Sequence, residues 1–493
     1  MTDPLDQSKT PYLDAFAWYR DAGYTIFHTP GHKQGRGGPQ ELRDKLGEQL
    51  LRADVASPGG VEDTRESTGL IPAAEVLAAE AWGAERCFFL VNGSSSGIQG
   101  MVLTLAGDGQ TLIVPRNSHK SMLGGLIFSG AMPHYVEPPV DVEWGVPRNL
   151  TTESVRKALA ANPDAKGLFV TSPTYNGFGA DLEAIGAAVH ETSMPFIVDQ
   201  AWGPAFRFCS RLPIDAMSAG ADAAVTSTHK LISGVTQSSV LMANSGRINV
   251  GRLNGALKMT QSTSPQAIIY ASIDGARMQM ATQGEALWTR AVELAEWARE
   301  RIRDIPGVRC LGWECLEHDG VASFDPTRLT VSGCDLGHSG WELETILRDD
   351  YHIAVEAADA LNVVLNVTHG DRKEDLEHLV TSLRDYASRH ESGDTAAVAA
   401  CRALIALMPP FTEQLMTPHS AFFSVSEALP VRDCVGRVSA EIVTPYPPGI
   451  PVLGPGELIS TDLVRYLEAA ADADLHVHGP EDLSLRTLRV VVD

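Results

Sequence analysis

The stretch 227–241, STHKLISGVTQSSVL, holds one lysine, Lys230, among hydroxyls and has no acidic residue within it. An amine in such a setting either packs its stem on apolar surface with its head in water, or acts as a nucleophile that condenses with a carbonyl. Three other groups bear on the choice. In NGSSSGIQG (92–100), Ser94, Ser95 and Ser96 stand between glycines ahead of a helical stretch. Amide N–H groups at a helix start, with hydroxyls beside them, form a cup for phosphate, although Ser/Gly loops also serve as plain turns and N-caps. In VDQAWG, Asp199 follows the apolar PFIV, where a carboxylate needs a compensating donor or cation unless it simply caps the next helix. RNSHKS supplies His119, which taken alone reads as a structural or surface histidine.

Together these groups match the needs of pyridoxal phosphate. Its aldehyde takes an amine as a Schiff base, its ring nitrogen takes an acidic partner, and its phosphate takes N–H and hydroxyl donors. On this reading Lys230 is kept among hydroxyls because it is consumed as an imine.

The elements that must hold these side chains are short apolar runs alternating with helical stretches between about 85 and 245: RCFFLVNG, TLIVPR, GLFVTSP, PFIVDQAWG and AAVTSTHK. Runs this short, ending in polar residues or glycine, predict strands of a mostly parallel α/β sheet buried on both faces. Ligands of such sheets collect at the carboxyl ends of the strands. A helical pattern through Leu287, Ala291, Leu294, Ala298 and Ile302 opens a second texture, and GWELETILRDDYHIAVE, NVVLNVTHG and KEDLEHLVTSLRDYA read as helix, strand and helix. The expected division is 1–284 for an N-terminal arm and large cofactor domain, 285–395 for a small α+β domain, and 396–493 for a C-terminal domain. SRHESGDT is a plausible linker, and the prolines and glycines of TPYPPGIPVLGPGE (444–457) dictate an extended loop.

Composition narrows the classes of function. A chain of 493 residues with formal charge −23 repels polyanions, which argues against nucleic acid or an anionic membrane as partner and favours a cationic small molecule. Seven cysteines without a CxxC pair point to reduced thiols in the cytoplasm rather than a disulfide framework. The start, MTDPLDQSKT, lacks the basic-then-apolar pattern of a secretory leader, and no run reaches the roughly 18 apolar residues of a spanning helix. No metal site is expected: His476 and His478 in LHVHG have alternating spacing but no further ligands. The charges of AEWARERIRD read as a solvated helix face.

Eight motifs in chain order carry a resemblance: TPGHKQG (29–35), NGSSSGIQG, RNSHKS, SPTYNG (172–177), DQAWG, STHK, TSPQAIIYASID (263–274) and YPPGIPVLGPGE (446–457). In these the chain resembles the bacterial ornithine/lysine/arginine decarboxylases of the aspartate-aminotransferase fold, in the shorter form without an N-terminal wing domain. The resemblance implies Lys230 as the Schiff-base lysine, Asp199 as partner of the ring nitrogen and His119 stacked on the ring. It implies Ala201 and Trp202 on the opposite face, and Ser94, Ser95, Ser96, Ser227 and His229 around the phosphate. Thr263 and Ser264 match a segment that reaches the neighbouring subunit's cofactor, implying a homodimer with the active site at the subunit interface. Glu441 is the candidate for the substrate's distal cation. Departures are the three serines in place of a Gly-Ser-Thr form, Gln200 where many members carry Glu, and a looser match over 54–69 that leaves Asp63 and Glu66 undecided.

The implied reaction removes the α-carboxylate of lysine, ornithine or arginine as carbon dioxide, with Lys230 or His119 returning a proton to the α-carbon. An aminotransferase or oxidase of the same fold remains an alternative. So does a catalytically idle relative, against which the joint presence of Lys230, Asp199 and His119 counts. The choice among the three substrates rests on pocket depth and one or two carboxylates.

Overall fold

A computed structural model describes residues 4–55, 69–391, 393, 395, 398–399, 402–404, 407, 409, 411–445, 451–472 and 477–492. Asp63, Glu66 and His476, and the YPPGI part of the proline-rich loop, lie outside the described residues. The fold is mixed α/β with a mostly parallel central sheet. Its strands are β1 (Arg86–Leu90), β2 (Thr111–Pro115), β3 (Met132–Val136), β4 (Leu168–Thr171), β5 (Phe196–Asp199), β6 (Ala223–Thr226) and β7 (Ser239–Ala243). These are the apolar runs of the sequence, and every residue of β6 and β7 is buried, as expected of strands covered on both faces.

The chain divides into two compact units. The first comprises Met1–Thr104, Val198–Ser210 and Ile214–Leu287. Here β1 pairs antiparallel with β7, from Arg86↔Ala243 to Leu90↔Ser239, and β7 antiparallel with β6. The end of β5 joins β6 through the Gln200 N–H, which donates to the Val225 carbonyl at 2.9 Å. Helix α1 (Gly93–Leu105) lies directly on these strands. A Cβ at Gly97 would come within 2.8 Å of both Leu90 and Val225, so only glycine lets the helix approach this closely. Gly93 opens the helix at φ +70°, which also calls for glycine. A one-turn helix, α2 (Thr228–Leu231), follows β6 and carries Lys230.

The second unit comprises Leu105–Ile197, Arg211–Pro213 and Trp288–Asp493. Its strands β4, β2 and β3 pair in parallel, through Ile113↔Leu168 and from Thr111↔Met132 to Pro115↔Val136. The helical pattern read from Leu287 belongs to a 37-residue helix, α3 (Ala267–Arg303), that has already begun twenty residues earlier. The small α+β region forms an antiparallel sheet ordered β8 (Arg309–Cys310), β9 (Arg328–Ser332), β11 (Val363–Asn366), β10 (Ala357–Ala358). Leu329, Val331 and Val363 pack there against Leu343 and Leu347 of α4 (Gly340–Tyr351) and Leu379 and Leu383 of α5 (Lys373–Arg389). Ser339 and Glu342 close a capping box on α4, fixing where that helix starts. A separate core of Val443, Leu453, Leu463, Leu467, Leu488 and Val490 organises the C-terminal region.

Candidate active site

In the first unit the predicted groups meet where β5, β6 and α1 present their ends. Lys230, half-buried on α2, holds its Nζ 3.9 Å from the centroid of the Trp202 ring, a cation–π contact. Asp199 ends β5, and its Oδ1 accepts the Ala201 N–H at 3.0 Å. Burial pushes the Asp199 carboxyl above its ordinary range; the charge of Lys230 and the Ala201 amide pull the other way without cancelling it. The Ser227 N–H donates to the Ala201 carbonyl at 3.3 Å, tying the turn after β5 to the residue that precedes α2.

Ser94, in the first turn of α1, lies 2.7 Å from the hydroxyl of Ser227 and 2.6 Å from that of Ser239. Three hydroxyls from three elements thus converge at a helix start. Ser96 turns instead to its own helix, donating to the Gly93 carbonyl at 2.9 Å, and Ser95 is half-buried beside it. His229 places Nδ1 2.7 Å from the Ser238 carbonyl, which makes Nδ1 the protonated nitrogen, and burial holds the ring's pKa below its ordinary value. Ser239 escaped the sequence reading because its partners are 145 and 13 positions away and nothing local marks it. Thr263 and Ser264 are exposed on the link between two helices of this unit.

A hydroxyl cup at a helix start, a buried carboxyl whose charged form a cationic ring nitrogen would favour, and a half-buried amine form the set of groups that pyridoxal phosphate needs, so the residues fit that cofactor. Phosphate would meet Ser94, Ser227 and Ser239, the ring nitrogen would meet Asp199, and the aldehyde would meet Lys230.

In the second unit His119 caps the helix Lys120–Ser129, its Nδ1 accepting from the Ser121 N–H at 3.2 Å; its side chain is exposed. The loop leading to it is held firmly. Asn117 donates to the Arg148 carbonyl at 3.1 Å and Ser118 to the Pro115 carbonyl at 2.6 Å. Arg116 forms a buried two-point ion pair with Glu457 and lies between the rings of Tyr135 and Phe411. Glu441 is buried, and its two oxygens accept backbone N–H groups of Glu481 at 2.9 Å and Arg489 at 2.7 Å. The carboxylate expected to face a substrate cation is therefore engaged within the C-terminal core. Among the described residues no group of three metal-ligating side chains occurs, and no helix is long and apolar enough to cross a membrane.

The fold is shared with decarboxylases of known structure: the constitutive lysine decarboxylase of E. coli superposes with a TM-score of 0.82 at 22% identity, over 99% of this chain and 82% of that one. Family models match the same class by sequence, the major domain of Orn/Lys/Arg decarboxylases over residues 10–375 and their C-terminal domain over 402–482. The arginine decarboxylase of Bacillus anthracis is 39% identical over 487 residues, 99% of this chain and 98% of that protein. Lysine decarboxylase LdcA of Pseudomonas aeruginosa is 25% identical over 586 residues, 94% of this chain and 78% of that protein. The chain belongs to the Orn/Lys/Arg decarboxylase family and is an amino-acid decarboxylase that acts on a basic amino acid.

Proposed function

We propose that the substrate is arginine, decarboxylated to agmatine and carbon dioxide with pyridoxal phosphate as cofactor. The full-length similarity to an arginine decarboxylase, at 39% identity against 25% for a lysine decarboxylase, supports the substrate. The single observation that carries the chemistry is the grouping of Lys230, Asp199 and the Ser94–Ser227–Ser239 hydroxyls in one unit.

When bound, pyridoxal phosphate supplies an electron sink for the pair left on the α-carbon as carbon dioxide departs. The chain's own residues do the rest. Lys230 would provide the amine that holds the cofactor. Asp199 accepts the hydrogen bond of the protonated ring nitrogen, and that cation lowers the cost of keeping the carboxylate ionised. Ser94, Ser95, Ser227 and His229, with Ser239 added, would anchor the phosphate, whereas Ser96, assigned there by the resemblance, spends its hydroxyl proton on the Gly93 carbonyl. Ala201 and Trp202 would lie against one face of the cofactor, and His119 is assigned to the other. Lys230 or His119 delivers one proton to the α-carbon, so each turnover consumes a proton. Thr263 and Ser264 are assigned to the cofactor of a second subunit, making the working unit a homodimer. A cytoplasmic location follows the odd cysteine count.

Purified protein supplied with the cofactor and offered arginine, lysine and ornithine in turn tests this reading by product chromatography. Agmatine with stoichiometric carbon dioxide is expected, with kcat/KM for arginine at least about tenfold above that for lysine, the discrimination one pocket contact gives. An oxo acid as product, or a preference for lysine, would overturn it.

A further inference from the structure

We infer that Gln200 is a positioning residue for the reaction: its primary amide fixes the turn Asp199–Gly203 and thereby holds the Trp202 ring against the amine of Lys230. The inference rests on the proposed reading of Lys230 as the cofactor-bearing amine.

Gln200 is 1% exposed. Its Nε2 donates to the Gly203 carbonyl at 2.9 Å, and its Oε1 accepts the Ala216 N–H at 2.6 Å. Its backbone carbonyl accepts both the Gly203 N–H at 2.8 Å and the Thr226 hydroxyl at 2.9 Å. The turn is therefore closed twice, once through backbone and once through side chain, and is tied outward to residue 216 and to β6. Trp202 is the residue immediately before Gly203, inside that closure, and its ring lies under the Lys230 Nζ. Gly203 leaves no slack, since a Cβ there would fall 2.8 Å from the Phe206 ring and 2.9 Å from Gln200 Cγ.

The chemistry of the side chain is dictated by what it faces. One end meets a carbonyl oxygen and needs a donor; the other meets an N–H and needs an acceptor. A carboxylate of the same shape satisfies only the second, and water cannot repair the first in so buried a place. During turnover the amine of Lys230 must leave one atom and return to it, and the indole face gives the ammonium a fixed resting place.

Gln200→Glu and Gln200→Leu, each in the wild-type and Trp202→Ala backgrounds, test the inference. Burial raises the introduced glutamic acid's pKa; protonated, it donates to Gly203 as the amide does, and ionised, it repels that carbonyl. The charged groups around the turn are Asp199, Lys230 and the Asp215–Arg207 pair. All four are common to wild type and variant, so the ratio of the two pH profiles isolates position 200. Gln200→Glu should match wild-type kcat at the acid end and fall by about tenfold relative to it as pH rises, while Gln200→Leu is low throughout, as expected when a buried acceptor loses its donor. In the Trp202→Ala background either substitution should add no more than about twofold, because both then act on one missing contact. The visible circular dichroism of the bound cofactor should change in Gln200→Leu, and change no further in the double variant. A Gln200→Glu profile parallel to wild type, effects that multiply across backgrounds, or a lowered Tm with kcat and cofactor dichroism unchanged would each overturn the inference. If wild type decarboxylates no basic amino acid, the proposed function fails, yet the dichroism and the pH-dependent Tm of Gln200→Glu still decide the role of the clamp.

Discussion

Arg116 and Glu457, 341 positions apart, form a buried ion pair in which each side chain is at most 2% exposed. The guanidinium lies 4.6 Å from the centroid of Tyr135 and 4.5 Å from that of Phe411. The pair joins the C-terminal core to the loop that carries His119 three residues later. Removing one partner leaves an uncompensated buried charge, so Glu457→Gln should lower stability by about 3–5 kcal/mol in urea unfolding. Replacing both, as Arg116→Met with Glu457→Leu, should recover most of that loss. A single variant within about 1 kcal/mol of wild type would place the pair among exposed ones.

Asp199 makes a pH-dependent prediction for the protein stripped of cofactor. Its folded pKa is raised, so the folded state favours the protonated form: the associated stability is full below the unfolded value of 3.8 and is lost as pH rises through the raised folded value. Asp199→Asn should therefore make the cofactor-free protein more stable than wild type at pH 7, with the advantage shrinking toward pH 4. Loaded with cofactor, the same variant should lose on the order of a hundredfold in kcat, since it cannot keep the ring nitrogen protonated. Thermal melts across pH check the first claim and steady-state kinetics the second.

What was legible in the sequence was local. FIVD and AAVT are strands because three apolar residues run unbroken and stop at a polar one, and that stop is also why Asp199 and Lys230 fall near strand ends. The serines of NGSSSGIQG sit in the first turn of α1 because Gly93 supplies the left-handed entry. What was not legible depends on distant partners. Glu441 accepts amide N–H groups 40 and 48 residues on, partners that leave no spacing signal. The role of Gln200 needs the Ala216 N–H, and that of Ser239 needs Ser94, neither of which leaves a spacing signal. The start of α3 at Ala267 was hidden because SPQ precedes it, which reads as a loop, while the apolar pattern is plain only from Leu287.

The three clustered hydroxyls predict graded losses of cofactor affinity. Ser94→Ala, Ser227→Ala and Ser239→Ala should each raise the Kd for pyridoxal phosphate by roughly 3–10-fold, the range of one net hydrogen bond. Because Ser94 contacts both others, double variants should cost less than the product of the singles. Fluorimetric titration of the cofactor-free protein measures both. Unchanged affinity in all three single variants would show that the phosphate is held elsewhere.

The most direct test concerns the amine of Lys230. Protein loaded with pyridoxal phosphate should be yellow, and borohydride reduction followed by proteolysis and mass spectrometry should recover the pyridoxyl mass on the peptide containing Lys230. Lys230→Ala, treated alike, should be colourless and unlabelled. A pyridoxyl label on another lysine, or none on a protein that still turns over substrate, would contradict the account.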